Sequence, residues 1–213
     1  NTYALAGVSN VENLSANFSK AGTISMLGST GVTSVANSGS TAPGVFSNIT
    51  PAGTSLTVSN TGSNTTFGFV NAALTGTTDT AAVTVSNVTG AAQVNVQPAS
   101  GTNGFETIAL TSTGGANSIT LNDATSTGLT GVTVSGDQNL TLVTTPATIP
   151  SIDASAMTGG LTPTATNAAA TTITGGAGND AITAEATLAN DNISGGAGND
   201  TITFTATLDV TDT

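Results

Sequence analysis

Cysteine, histidine and tryptophan are absent from this chain of 213 residues, and Lys20 is its only basic side chain. Without cysteine there are no disulfides and no thiolate metal ligands, so stability has to come from elsewhere, and a bound metal held by other atoms is the obvious source. The loss of His and Cys also removes the usual general bases and activated nucleophiles. No carboxylate pair outside the glycine-rich turns is marked for glycoside chemistry, so the chain is not expected to be an enzyme. One cation against twelve carboxylates leaves no basic surface for phosphate, which excludes nucleic acid as a partner. The net charge of -11 repels anionic bilayers too. No uninterrupted apolar run approaches the roughly 20 residues of a membrane span, so no membrane insertion is expected.

Charge of either sign is scarce at 6%, and polarity comes instead from 45 threonines and 21 serines. Uncharged hydroxyls put little Coulomb repulsion between neighbouring molecules, which makes self-association plausible. The chain opens on Asn1-Thr2-Tyr3, with neither an initiator Met nor the features of a signal peptide, and reads as a segment of a longer product.

What the chain does have is alternation. Apolar residues two apart, flanked by Thr, Ser, Gly and Asn, occur at Leu56/Val58, Val83/Val85, Val94/Val96, Ile108/Leu110, Ile119/Leu121, Val132/Val134 and Leu140/Leu142. Single apolar marks follow at Ile152, Ile173, Ile182, Ile193 and Ile202. The spacing fits a sandwich or a solenoid. Aromatic content of 3% favours the solenoid, whose narrow core is filled by stacked Val, Ile and Leu rather than by large rings. The expected fold is therefore all-β, a parallel β-solenoid (β-helix). Two strands and their turns per rung of roughly 22 residues give about nine or ten rungs at ~4.8 Å, a rod on the order of 45 Å long. Phe67 and Phe69 share a face and are expected in the core rather than as a sugar platform. In the first fifty residues Val8, Val11 and Leu14 lie three apart, which is compatible with one helical turn or an irregular strand.

The hexapeptide Gly-Gly-Ala-Gly-Asn-Asp occurs twice, as Gly175, Gly176, Ala177, Gly178, Asn179, Asp180 and as Gly195, Gly196, Ala197, Gly198, Asn199, Asp200. Glycines permit the positive φ of a tight turn and turn carbonyl oxygens toward one point, where the Asp adds a carboxylate. Each copy is followed by a short strand with one inward isoleucine, and Asp191-Asn192-Ile193 repeats that step without the glycines, which adds Asp191 to the candidate metal ligands of the two turns. If each unit is half a rung, the two turns stack on one edge. Their carboxylates would then repel unless a cation lies between them. Carbonyl and carboxylate oxygens in a flexible arrangement suit Ca2+, more than Mg2+ or a transition metal. The metal-free alternative is a pair of plain glycine turns.

Both copies match the pattern Gly-Gly-x-Gly-x-Asp-x-apolar-x and resemble the RTX (repeats-in-toxin) nonapeptide. That resemblance implies a calcium-binding β-roll at the C-terminal end, export by a type I secretion system, and folding driven by extracellular calcium. It covers about residues 171–203 and departs from the family in having few repeats and an eleven-residue spacer. More loosely, GFETIALTS (104–112) and the run GLTGVTVSGDQNLTLVTTPATIPSIDASAMTGGLT (128–162), leading into TITGGAGND, resemble bacterial surface-layer (S-layer) proteins of the RTX type. The implied organisation is a Thr/Ser/Ala-rich solenoid over 1–165 and an RTX calcium-binding roll over 166–213. The implied function is that of a structural protein, secreted to the bacterial cell surface, which self-assembles as a homo-oligomer (lattice or filament) with calcium-mediated contacts.

Asp123, Asp137 and Asp153 are further candidate calcium ligands, with an Asx turn as the plainer role for each. Two other readings stand beside the surface layer. One is a calcium-stabilised module of an RTX adhesin or secreted enzyme whose working domain lies elsewhere. The other is an ice-binding solenoid, which needs Thr-x-Thr at a fixed rung position, whereas the spacing along the sequence drifts.

Overall fold

The computed structural model describes residues 1–122, 128–145, 149–165, 170–184 and 191–204. Nineteen strands occur among them. The first seven are β1 (Thr2–Ala4), β2 (Asn13–Ala16), β3 (Gly22–Ser25), β4 (Ser34–Ser38), β5 (Gly44–Ile49), β6 (Ser55–Thr61) and β7 (Thr65–Phe69). Six more follow: β8 (Thr80–Val88), β9 (Ala92–Pro98), β10 (Thr107–Thr113), β11 (Asn117–Asn122), β12 (Gly131–Gly136) and β13 (Leu140–Thr145). The last six are β14 (Ser151–Met157), β15 (Leu161–Ala165), β16 (Thr172–Thr174), β17 (Ala181–Ala184), β18 (Asn192–Ser194) and β19 (Thr201–Phe204).

Odd-numbered strands form one sheet of ten and even-numbered strands a second sheet of nine. All the ladders between described strands are parallel. The chain thus winds as a parallel β-solenoid, each circuit laying one strand on each sheet. Ten and nine strands agree with the nine or ten rungs expected. The pairs Thr164↔Thr183 and Ala165↔Ala184 carry the sheet across residue 165, so the two segments form one continuous stack.

Alternation explains which side chains meet. In β10 every second residue is buried, and Val35, Leu56, Val83, Leu110 and Val134 line up in successive rungs of the nine-stranded sheet. Each of the five is at most 1% exposed, and burial of such a side chain stabilises by about 1.5–3 kcal/mol. Aromatic rings fill part of the core between Phe18 and Phe105. Phe46 stacks on Phe67 at 5.6 Å, Phe18 meets Phe46 edge-on at 5.6 Å, and Phe69 meets Phe105 edge-on at 4.9 Å. Phe67 and Phe69 are both in the core, as their shared face implied.

Rungs differ in length. Thr2 pairs with Thr23, 21 residues on, Thr65 with Val94, 29 on, and Ala181 with Thr201, 20 on. In the middle rungs part of the surplus sits outside the strands, in loops 70–79 and 99–106; the first contains the 3-10 turn Asn71–Ala73. In the first fifty residues, Val8 donates its N–H to Leu5 in a turn and only Leu14 lies in a strand, so the helical alternative is not adopted.

One bend shows how sequence meets backbone. Ser38, Ser59, Ser86 and Thr113 pair rung upon rung. The residue after each, Gly39, Asn60, Asn87 or Gly114, has φ between 51° and 76°. Only Gly and Asn enter this left-handed region readily, and they alone occupy the column. Asn87 further donates through Nδ2 to Asn60 Oδ1 at 3.0 Å.

Candidate metal centre

Residues 175–180 join β16 to β17, and residues 195–200 join β18 to β19, so both glycine turns lie on the edge where the chain passes from the nine- to the ten-stranded sheet. They stack directly. Ala197 N–H donates to Gly176 O at 2.8 Å, Asn199 N–H to Asn179 Oδ1 at 2.9 Å, Asp180 N–H to Asp200 Oδ1 at 3.0 Å and Thr201 N–H to Asp180 O at 2.8 Å.

The stack extends one turn earlier than the sequence motif. Ala177 N–H donates to Met157 O at 2.8 Å, and a Cβ placed on Gly178 would lie 2.4 Å from Gly159 O. Residues 157–160 thus form the floor on which the first hexapeptide rests. The only signal for them was the Gly159-Gly160 pair, which motif spacing alone does not single out.

The glycines serve two different needs. Positive φ occurs at Gly196 (88°) and Gly198 (120°), but at none of the three glycines of the first turn. Those are required by close approach instead: a Cβ on Gly176 would come 2.3 Å from Met157 O, and one on Gly175 would come 2.2 Å from Gly195 O. Across the seam, Cβ atoms on Gly196 and Gly198 would meet Gly176 O and Gly178 O at 2.3 Å each. The missing Cβ atoms are what let carbonyl oxygens of one turn face the backbone of the next.

Asp180 is only 2% exposed. Its Oδ1 accepts the Leu161 N–H at 2.6 Å and its Oδ2 the Gly176 N–H at 2.8 Å. Amide donors therefore offset part of the cost of burying its charge. A carboxylate offers about four lone-pair sites, so acceptor capacity remains. Among the described residues no three acidic, His or Cys side chains converge. The donors at this seam are hard oxygens from the main chain together with Asp180 and Asp200, a set that fits Ca2+ in kind.

Asp191 belongs to the opposite edge, where its Oδ1 accepts the Thr171 N–H at 2.8 Å. The structure brings the two hexapeptides together but not Asp191 with them. Asp153 accepts the Ser155 N–H at 2.9 Å in an Asx turn. That backbone bond, with a weaker one from the Ser155 side chain, holds its carboxyl below the usual carboxylate range. Asp137 is exposed in the turn between β12 and β13, and Asp123 lies outside the described residues.

Sequence reasoning did not pair Asp79 with Glu106. Glu106 Oε2 accepts the Asp79 N–H at 2.7 Å, and Asp79 Oδ2 accepts the Gly76 N–H at 3.1 Å. Glu106 borders a cleft of about 270 Å³ between loops 70–79 and 99–106, with Thr75, Thr102 and Asn103 on its walls. Comparison with protein families, with curated proteins and with solved structures finds no match to this chain.

Proposed function

We propose that this chain is a structural segment of a secreted, calcium-dependent bacterial surface layer, ordered by Ca2+ at its glycine turns. The observation that carries the reading is the direct stacking of two identical Gly-Gly-Ala-Gly-Asn-Asp turns, with main-chain oxygens along the seam and a buried carboxylate within it. The residues that would hold the ion are the carboxylates of Asp180 and Asp200 and carbonyls of the turns 175–179 and 195–199. Ca2+ bound there would supply positive charge and accept coordination from those oxygens. The glycines hold the two turns at backbone contact, and the strands on either side fix their register.

Ligand linkage gives the mechanism of export and ordering. An ion that binds the folded stack but hardly the unfolded chain stabilises it by about 2.7 kcal/mol at a hundred times its Kd. Low calcium inside the cell leaves the fold less stable and the chain easier to unfold for export; higher calcium outside stabilises it. Lateral assembly is supported by files of uncharged hydroxyls on the sheet surfaces, such as Thr57, Thr84, Thr111 and Ser135, which pair rung upon rung. Nothing on those files repels a neighbouring copy electrostatically.

Electron microscopy of the purified chain with and without calcium, alongside Asp180→Ala, tests the proposal. Ordered sheets or filaments that need both calcium and Asp180 are expected. A chain that stays monomeric while its fold alone responds to calcium would overturn the coat and leave a calcium-stabilised module; no response at all would overturn both.

A further inference from the structure

The calcium reading accounts for the glycines and for Asp180, but not for the Asn that precedes it. Nor does it account for carboxylates placed in the same way where no glycine turn exists. Among the described residues, Glu106, Asp180, Asp191 and Asp200 each accept a backbone N–H from the preceding rung, donated by Asp79, Leu161, Thr171 and Asp180 respectively. All four reach backward along the chain. Asparagines Asn64, Asn71, Asn139 and Asn179 do the reverse, each accepting an N–H from the following rung, from Gln93, Asn103, Gly160 and Asn199.

We infer that the Asn-Asp dipeptide ending the first glycine turn is a two-way clamp that works without metal, Asn179 gripping the rung after it and Asp180 the rung before it. The geometry is direct: Asn179 Oδ1 lies 2.9 Å from Asn199 N, and Asp180 Oδ1 lies 2.6 Å from Leu161 N. A neutral oxygen suffices for the backward grip. Asn117 shares the Asp180 column through Asn117↔Leu140 and Leu140↔Leu161, and its Oδ1 accepts the Val88 N–H of the preceding rung at 2.8 Å. In a parallel stack the amides of turns and strand entries are not all met by the sheet ladders, and an orphaned buried N–H is costly. Each clamp closes one such amide, so adjacent rungs depend on each other through side chains as well as through the sheets.

The inference rests on hydrogen bonds and stands apart from the calcium reading. Amide hydrogen exchange of the full chain in chelator tests it. Asp180→Ala is expected to speed exchange at Leu161 and Gly176 by about ten- to a hundredfold while sparing Asn199. Asn179→Ala is expected to do the opposite, speeding Asn199 and sparing Leu161. Asp180→Asn keeps an acceptor for Leu161 but loses the one for Gly176, so it separates the two bonds. Should Asp180→Ala fail to fold, Asp200→Ala on the more exposed last rung reads the same grip at the Asp180 amide. Loss spread equally over both neighbouring rungs, or protection of Leu161 that exists only with calcium added, would overturn the clamp. Directional loss in chelator with no calcium effect on the wild type would sustain the clamp and overturn the calcium reading.

Discussion

The middle rungs and the last two hold themselves together by different means. From β6 to β13 strands run to as many as nine residues, and inward Leu, Val, Ile and Phe are almost fully buried. From β16 to β19 strands are three or four residues long and each brings one isoleucine, from Ile173 at 2% exposed to Ile202 at 39%. What the end lacks in apolar area it replaces with glycine turns at backbone contact and side-chain oxygens on main-chain amides. A solenoid can thus trade core for seam, and on the proposed reading the seam is where an ion would change the balance.

Replacing a middle ring should cost most. Phe67→Ala removes a fully buried ring stacked on Phe46 and is expected to destabilise by about 3–5 kcal/mol in denaturant unfolding, equally with and without calcium. A loss confined to chelator would erase the contrast between the two regions. Asp180→Ala is expected to cost about 1.5–3 kcal/mol and to abolish the calcium-induced change in circular dichroism. Asp79→Ala, at the middle loops, should leave that change intact, and equal loss at both sites would mean the response is not seated in the glycine turns. Asn87→Ala keeps a left-handed backbone without Asn or Gly to suit it, at about 1–2 kcal/mol. Asn87→Gly should sit near the wild type in the same thermal melt.

The smallest effect concerns acid. Because the folded-state pKa of Asp153 lies below its unfolded value, the stability it contributes is fully present above the ordinary carboxylate range and is lost as pH falls through the depressed value. The group is exposed, so solvent screening keeps the contribution small. Asp153→Asn should therefore differ from the wild type slightly at neutral pH and not at all in strong acid, as read from unfolding midpoints across a pH series.

Much of the architecture was legible because solenoid cores are written in alternation. Leu56/Val58, Val83/Val85, Ile108/Leu110 and Leu140/Leu142 all lie in strands, and so do Ile152, Ile173, Ile182, Ile193 and Ile202. The early strands β1 to β5 were not legible, because none carries a pair of Leu, Val, Ile or Phe two residues apart, the signal that marks the later strands. Sequence spacing also misled about register. It drifts from rung to rung, yet much of the drift is taken up by loops, so that Thr164, Thr183 and Thr203 form a single file. The two hexapeptides could be read from the chain, since identical turns one rung apart must stack. Their floor at 157–160 and the pairing of Asp79 with Glu106 depended on where loops of unequal length close, which periodicity does not encode.

Parallel pairing along one axis also fixes how such a rod answers force. Tension applied between its two ends pulls against the inter-rung hydrogen bonds head-on and meets them a few at a time, so the rod is expected to unzip circuit by circuit from its ends, where strands are shortest, at β1 to β3 and β16 to β19. Shear across the sheets instead loads many bonds together. A coat woven from such rods would resist stretching best when they lie across the load.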